Sequence, residues 1–229
     1  MSVLVTGAYG FIGKNLSVRL NELNIQVTTY TRENSTQDLK ELIKDADYII
    51  HLAGENRPKD EKDFDVVNAG LTASICDAVR SSGKNTPIIL ASSTQVELNN
   101  AYGKSKLDAE STMKLLEIDT GCPVHIYRLP GVFGKWCKPH YNSVVATFCH
   151  NISHDLPVQV NNSDLELSLV YIDDVVEEFV RIIKGAKAVI KKLSVQPEYK
   201  IKLGDLADQI NKFRESRDSL ITERVGSGF

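Results

Sequence analysis

No two of the four cysteines, Cys76, Cys122, Cys137 and Cys149, form a CxxC pair, and no histidine stands at zinc-finger spacing from them. That argues against a disulfide framework or a zinc module, and the thiols read as free groups of a reducing cytosol. An excess of basic charge is also missing. Lys and Arg number 27 against 30 Asp and Glu, giving a formal charge of −3 and a pI near 6.0. Such a balance gives no general pull toward nucleic acid or an anionic membrane surface. No apolar run approaches the roughly 20 residues of a membrane span. The opening MSVLVTGAYG has no basic region before it passes into a strand and a glycine turn, so it does not read as a signal peptide. Internal repeats and low-complexity tracts are absent. The expectation is a cytoplasmic protein with neither a membrane nor a nucleic-acid partner.

What is present is an alternation of periods. Short β-rich runs read as strands at SVLVTG, QVTTYT, DYIIHLAG, PIILASS and VHIYRLP, and helical patterns occupy 11–23, 37–45, 63–82 and 102–119. Strands alternating with helices imply βαβ units and a parallel sheet. Four of the strands are nearly continuous apolar runs, as expected where helices cover both faces. The predicted fold class is therefore α/β, a Rossmann-type doubly wound parallel sheet, with a small discontinuous substrate lobe after Gly134. Residues 1–135 plus 165–190 are expected to form the dinucleotide-binding core, 136–164 plus 191–216 the lobe, and 217–229 a linker toward a further C-terminal domain.

The first chemical motif is GAYGFIG. Gly7 allows a tight turn after the first strand, Gly10 lets the backbone approach a pyrophosphate, and Gly13 permits close packing of helix on strand. The phosphate charge then faces the positive end of the helix. At the end of the second strand, TTYTRE places Arg32 where an NAD site usually carries an acid. Arg32 reads either as a partner for the ribose phosphate of NADPH or as a solvated loop charge.

A second motif is NAYGKSKLDAE. Tyr102 and Lys106 are four residues apart, so on a helix they share a face. A nearby ammonium is expected to favour the phenolate and bring the tyrosine nearer neutral pH as a proton donor. The fourth strand ends in ASST, putting hydroxyls of Ser92, Ser93 and Thr94 at the carboxyl edge of the sheet, where folds of this kind bind ligands. A hydroxyl there can hold a carbonyl oxygen while Tyr102 delivers the proton.

GAYGFIG, HLAG, SST, YGKSK, RLPGVFG and LVYIDDV, in this order, resemble the extended short-chain dehydrogenase/reductases, the NAD-dependent epimerase/dehydratase family acting on nucleotide sugars. The resemblance covers residues 1 to about 215. It implies that Ser93, with Thr94 the close alternative, is the catalytic hydroxyl, that Tyr102 is the acid, and that Lys106 binds the nicotinamide ribose and tunes Tyr102. It further implies a cofactor site built from Gly7, Tyr9, Gly10, Phe11, Ile12, Gly13, Arg32, Leu52, Ala53, Gly54, Lys106 and Leu129. FGKWCKPHYNSVVATFC and AGENRP resemble, more narrowly, the bacterial capsule and O-antigen enzymes of UDP-N-acetyl-L-fucosamine synthesis. In those enzymes a reductase domain precedes a cupin epimerase. That likeness implies NADPH, a UDP-sugar substrate held by Arg57, Thr94, Trp136, Lys138 and Asn142, and a homodimer.

Several features leave alternatives open. Trp136 and Cys137 are either lobe core or substrate wall, and Lys138 either meets a pyrophosphate or is a surface charge. Asp173 and Asp174 precede VVEEFVRII and read as helix-capping acids rather than a metal pair. His51 ends a buried strand and reads as structural. Between TTYTR and DYIIHLAG there is room for one helix but not for a third strand with a Gly-Asp ending, so Asp38 and Leu39 stand in for the adenine contact. A sugar 4-epimerase would keep NAD, which TTYTR disfavours. A 4,6-dehydratase of the family pairs its hydroxyl with Asp-Glu, whereas Thr94 is followed by Gln95 and Val96. A non-catalytic NADPH-sensing module often lacks the Tyr/Lys pair. The sequence therefore points to an NADPH-dependent reductase of a UDP-4-keto-6-deoxy-N-acetylhexosamine.

Overall fold

The structure, a computed structural model, describes residues 1–56, 64–185 and 194–221. Arg57, one of the expected substrate contacts, lies outside them. Contacts divide the chain into two units, residues 1–129 with 175–195 and residues 130–174 with 196–229.

The first unit is built on the five β-rich runs. They form strands Ser2–Thr6 (β1), Gln26–Tyr30 (β2), Tyr48–His51 (β3), Ile88–Ser93 (β4) and Val124–Leu129 (β5), all parallel, in the order β2-β1-β3-β4-β5. Successive residues point to opposite faces, and both faces are covered. Leu4, Ile49, Ile88 and Leu90 pack with Leu39 and Ile43 of helix Thr36–Asp45 (α2), Ile75 and Val79 of Leu71–Ser82 (α3), and Met113 and Leu116 of Ala101–Thr120 (α4). On the other face lie helix Phe11–Glu22 (α1) and the later part of a helix that spans Ile172–Ile183. Tyr127 of β5 stacks on Phe179 of that later part at 5.2 Å, and Arg19 of α1 pairs with Glu177 at 2.6 Å. This is the Rossmann-like doubly wound sheet expected from the alternation, with β2 and β5 as its edges.

Two details depart from the sequence reading. The helical pattern expected over 63–82 contains a π-helical segment, Asp65–Gly70, before α3 begins. A wider turn of this kind re-aims side chains within a helix and is frequent at functional sites. The adenine contact expected of Asp38 and Leu39 does not hold. Leu39 is wholly buried in the core, and Asp38 closes a capping box by accepting from the Ser35 backbone at 2.8 Å.

In the second unit, Gly131–Phe133 (β6), Glu166–Tyr171 (β7) and Tyr199–Lys202 (β8) make a separate sheet. In it β7 is parallel to β6 and antiparallel to β8. Helices Val144–Ser153 (α5) and Leu203–Ser219 (α7) cover it through Phe148, Ile152, Leu203 and Leu206 against Leu169 and Ile201. The segment 165–190 accordingly divides. Strand β7 pairs only in this second sheet, and the chain re-enters the first unit at Val175, within helix Ile172–Ile183 (α6). Asp173 and Asp174 lie in the first turn of α6, where the helix dipole favours acids, and Asp173 pairs with Lys135 at 2.9 Å. Among the described residues no helix is long and apolar enough to cross a membrane, and no group of His, Cys, Asp or Glu is placed to hold a metal ion.

Candidate active site

Strand β1 has β2 on one side and β3 on the other, so the chain leaves it in one direction and returns in the opposite one. A crevice opens at such a switch point, at the carboxyl ends of the strands. Gly7 begins the turn there with φ +72°, and a Cβ built on it would lie 2.7 Å from the Ala53 nitrogen, closer than any real side chain sits. A Cβ on Gly13 would lie 2.2 Å from the Gly7 carbonyl oxygen, which is how α1 rests on the turn. Gly10 starts α1, its N–H donating to the Gly7 carbonyl at 3.0 Å. No side chain caps α1, and no acid stands in its first turn. The positive end of the helix is thus left for an outside anion, and a dinucleotide's pyrophosphate fits it. Tyr9 beside it is 73% exposed, and Phe11 and Ile12 are half-buried.

Leu52, Ala53 and Gly54 continue from β3 along the crevice. Arg32, two residues beyond β2, is exposed and reaches Glu55 at 3.4 Å. Its guanidinium is therefore held toward the same carboxyl edge.

The second half of the site is gathered by α4. Asn100 caps that helix, its side chain accepting from the Gly103 N–H at 2.7 Å. Tyr102, Lys106 and Glu110 then share one face. Ser93, at the end of β4, is buried, accepts from the Gln95 N–H at 3.2 Å and stands near enough to the Tyr102 phenol to favour its ionised form. Thr94 is exposed and begins a short 3₁₀ helix, Thr94–Glu97. Of the two hydroxyls left open by the sequence, Ser93 is therefore the one beside Tyr102. Lys106 is 8% exposed, its ammonium 3.2 Å from the Ala91 carbonyl oxygen and 6.0 Å from the centre of the Tyr102 ring. A Cβ on Gly54 would stand 2.9 Å from the Lys106 nitrogen, so the glycine is what lets the lysine reach the end of β3. Leu129 is buried at the end of β5, in register with Ser93.

The electrostatics differ from the sequence expectation in one respect. Burial raises the Tyr102 phenol above its ordinary pKa, and the nearby Ser93 hydroxyl only partly opposes that. The ammonium expected to lower it is instead itself pushed down to about 8 by burial, with Glu110 opposing. Removing two polar groups from water disfavours the charged form of each. The phenol is consequently held in its protonated, donating form at neutral pH.

Sequence reasoning missed three supporting residues. Asn68, on the π-helical segment, accepts from the Glu55 N–H at 2.8 Å and donates to the Glu55 carbonyl at 3.1 Å and to the Ser105 hydroxyl at 3.0 Å. It ties the end of β3 to the helix carrying Lys106. Glu110, 1% exposed, accepts from Ser92 at 2.6 Å and from Arg128 at 2.9 and 2.7 Å. The signal for Glu110 was its place four residues after Lys106 in NAYGKSKLDAE. Nothing local marked Asn68 or Arg128.

The remaining expected substrate residues, Trp136, Lys138 and Asn142, belong to the second unit and are exposed there. Trp136 adopts φ +69° and is 55% exposed, with the Lys135 ammonium 5.9 Å from its ring, so it is not core of the lobe. Cys76 and Cys122 are buried, and burial pushes both thiols up, to about 12 and about 11, as expected of inert cysteines.

A doubly wound sheet with a glycine turn at its switch point and a Ser/Tyr/Lys cluster at the end of β4 defines an extended short-chain dehydrogenase/reductase. The chain belongs to the NAD dependent epimerase/dehydratase family, which it matches over residues 3–195. It is 52% identical over 229 residues to the UDP-2-acetamido-2,6-beta-L-arabino-hexul-4-ose reductase of Pseudomonas aeruginosa, covering all of this chain and 62% of that enzyme. The crystal structure of the capsular polysaccharide assembling protein CapF from Staphylococcus aureus superposes with a TM-score of 0.86 at 38% identity, over 96% of this chain and 60% of that one. The chain thus spans about three fifths of the length of these two relatives. The UDP-glucuronic acid 4-epimerase of Bacillus cereus, solved with NAD, shares the fold at 19% identity and a TM-score of 0.81, over 100% of this chain and 87% of that one.

Proposed function

We propose that this chain is an NADPH-dependent reductase of the 4-keto group of a UDP-4-keto-6-deoxy-N-acetylhexosamine, acting in the cytoplasm in the synthesis of a capsule or O-antigen precursor, UDP-N-acetyl-L-fucosamine. The observation that carries the reading is the Ser93–Tyr102–Lys106 cluster beside Gly54, at the carboxyl edge next to the glycine turn. The activity of the Pseudomonas relative supports the substrate class. When bound, the dinucleotide supplies a hydride to carbon 4. Ser93 holds the ketone oxygen, and Tyr102 gives that oxygen its proton, so that a secondary alcohol forms. The ammonium of Lys106 steadies the phenolate left behind and holds the nicotinamide ribose. Arg32 takes the 2′-phosphate.

Catalysis in this direction suits a phenol that burial keeps protonated. A 4-epimerase would have to start by removing a hydroxyl proton, which needs the phenolate, the form that burial makes scarcer at neutral pH. Arg57, Thr94, Trp136, Lys138 and Asn142 are assigned to the UDP-sugar; residues 217–219, expected to open a linker, instead end helix α7. Leu107, Leu115 and Ile118 on the outer face of α4 are exposed, which supports a homodimer.

The test is NADPH consumption with the keto sugar prepared in situ, followed by incubation of keto sugar and protein in deuterium oxide without NADPH. Reduction without exchange at carbon 3 is expected. Exchange faster than in a protein-free control would assign epimerase chemistry to this chain as well.

A further inference from the structure

At the end of β3, His51 is 1% exposed and both its ring nitrogens are in contact. Nδ1 lies 2.7 Å from the Thr6 hydroxyl oxygen and Nε2 lies 3.0 Å from that of Thr72. The outer ends of this chain settle which atoms carry protons. The Thr72 hydroxyl is 2.6 Å from the Asn68 carbonyl, which can only accept, so its proton points there and a lone pair faces His51. Nε2 must then carry a hydrogen. At the other end Thr6 accepts from the Ala53 N–H at 3.1 Å, leaving its single proton for Nδ1. Burial, with the nearby Lys106 ammonium, pushes the imidazole down to about 3, so the ring is neutral throughout the physiological range.

We propose that His51 is a positioning residue of the dinucleotide cradle, locked as the neutral Nε2–H tautomer. Through Thr6 it holds the backbone of Leu52–Gly54, and through Thr72 it holds the π-helical segment carrying Asn68. Asn68 in turn grips Glu55 and Ser105, the neighbour of Lys106. The glycine turn, the end of β3 and the catalytic helix are therefore set in register by one directional run of hydrogen bonds. The opposite tautomer breaks it, because a bare Nε2 would face the lone pair of Thr72. An imidazolium would place a second cation near Lys106 and set Nδ1–H against Thr6. This role rests on reading Leu52–Gly54 as the cofactor's seat.

Nitrogen-15 NMR of histidine-labelled protein should show Nε2 protonated and Nδ1 bare, unchanged from about pH 8 to about pH 5. Thr72→Val keeps the shape but removes the acceptor, so the tautomer should switch to Nδ1–H. The dissociation constants of NADPH and NADH should then rise together by about tenfold. His51→Phe should lose the same affinity, and His51→Gln, whose amide offers one acceptor and one donor, should recover to within about threefold. A protonated Nδ1 in the unmodified protein, or titration near the ordinary value of about 6.5, would overturn the proposal. Unmodified protein that binds neither dinucleotide would overturn the cradle reading and this role with it. Unaltered affinity for both dinucleotides in Thr72→Val and His51→Phe would overturn the role alone.

Discussion

Replacing Lys106 by methionine should raise the stability of the protein at neutral pH while removing its reductase activity. The lysine is 8% exposed, and burial moves its ammonium from 10.5 to about 8. That difference corresponds to about 3 kcal/mol of penalty on holding the charge in the fold. Methionine keeps an unbranched apolar stem and fills similar space. It forfeits the hydrogen bond to the Ala91 carbonyl, which costs about 1 kcal/mol. The net gain at pH 7 is about 2 kcal/mol, a rise of about 4–8 °C in Tm for a chain of this size.

The pH dependence is the discriminating readout. Because the folded value lies below the unfolded one, the penalty is complete below about pH 8. It fades as the pH rises toward 10.5, where the unfolded chain loses its proton too. Urea unfolding of both proteins, followed by circular dichroism at about pH 7 and about pH 10, should show an advantage for the variant that shrinks to near zero. A variant less stable at pH 7, or an advantage equal at both values, would refute the reasoning that the Lys106 charge is held against its own desolvation.

Three further outcomes follow from the same geometry. Tyr102→Phe should lower single-turnover reduction by about 100-fold or more while leaving the NADPH dissociation constant nearly unchanged, since only the proton donor is lost; retention of about a tenth of the rate would remove Tyr102 from that role. Arg32→Ala should raise the dissociation constant of NADPH and barely change that of NADH, as measured by fluorescence titration, whereas equal losses would mean that the guanidinium supports the Glu55 loop instead. Arg128→Met leaves the Glu110 carboxylate, 1% exposed, without its bidentate partner and should cost about 3–5 kcal/mol of stability in urea. That loss should diminish as the pH falls through the carboxylate range. The pairing with Arg128 and Ser92 holds Glu110 below its ordinary value, so its contribution is present above the unfolded pKa and lost on acidification.

What the amino-acid sequence determined by itself is everything that depends on near neighbours along the chain. Five β-rich runs, four of them apolar, and the helices between them dictate a parallel doubly wound sheet, because the apolar ones must be covered on both faces. GAYGFIG dictates its own turn, since Gly7 has to take φ +72° and Gly13 has to meet the Gly7 carbonyl. The spacing of Tyr102 and Lys106 on α4 places them on one face whatever the rest of the fold does.

Tertiary structure decided what depends on burial and on partners far along the chain. Leu39 became core because α2 lies against the sheet, which withdrew it from any adenine contact. β7 paired with β6 and β8 because Leu169 is buried against α5 and α7, a choice its apolar sequence leaves open. Ser93 rather than Thr94 came to stand beside Tyr102 because the chain turns into a 3₁₀ helix at Thr94. The direction of the Tyr102 shift, upward rather than downward, follows from desolvation outweighing the nearby Ser93 hydroxyl. Asn68 and Arg128 acquire their roles only across sequence separations of 13 and 18, to Glu55 and Glu110. Local propensity carries no information over such separations, and only the packed sheet brings the partners together.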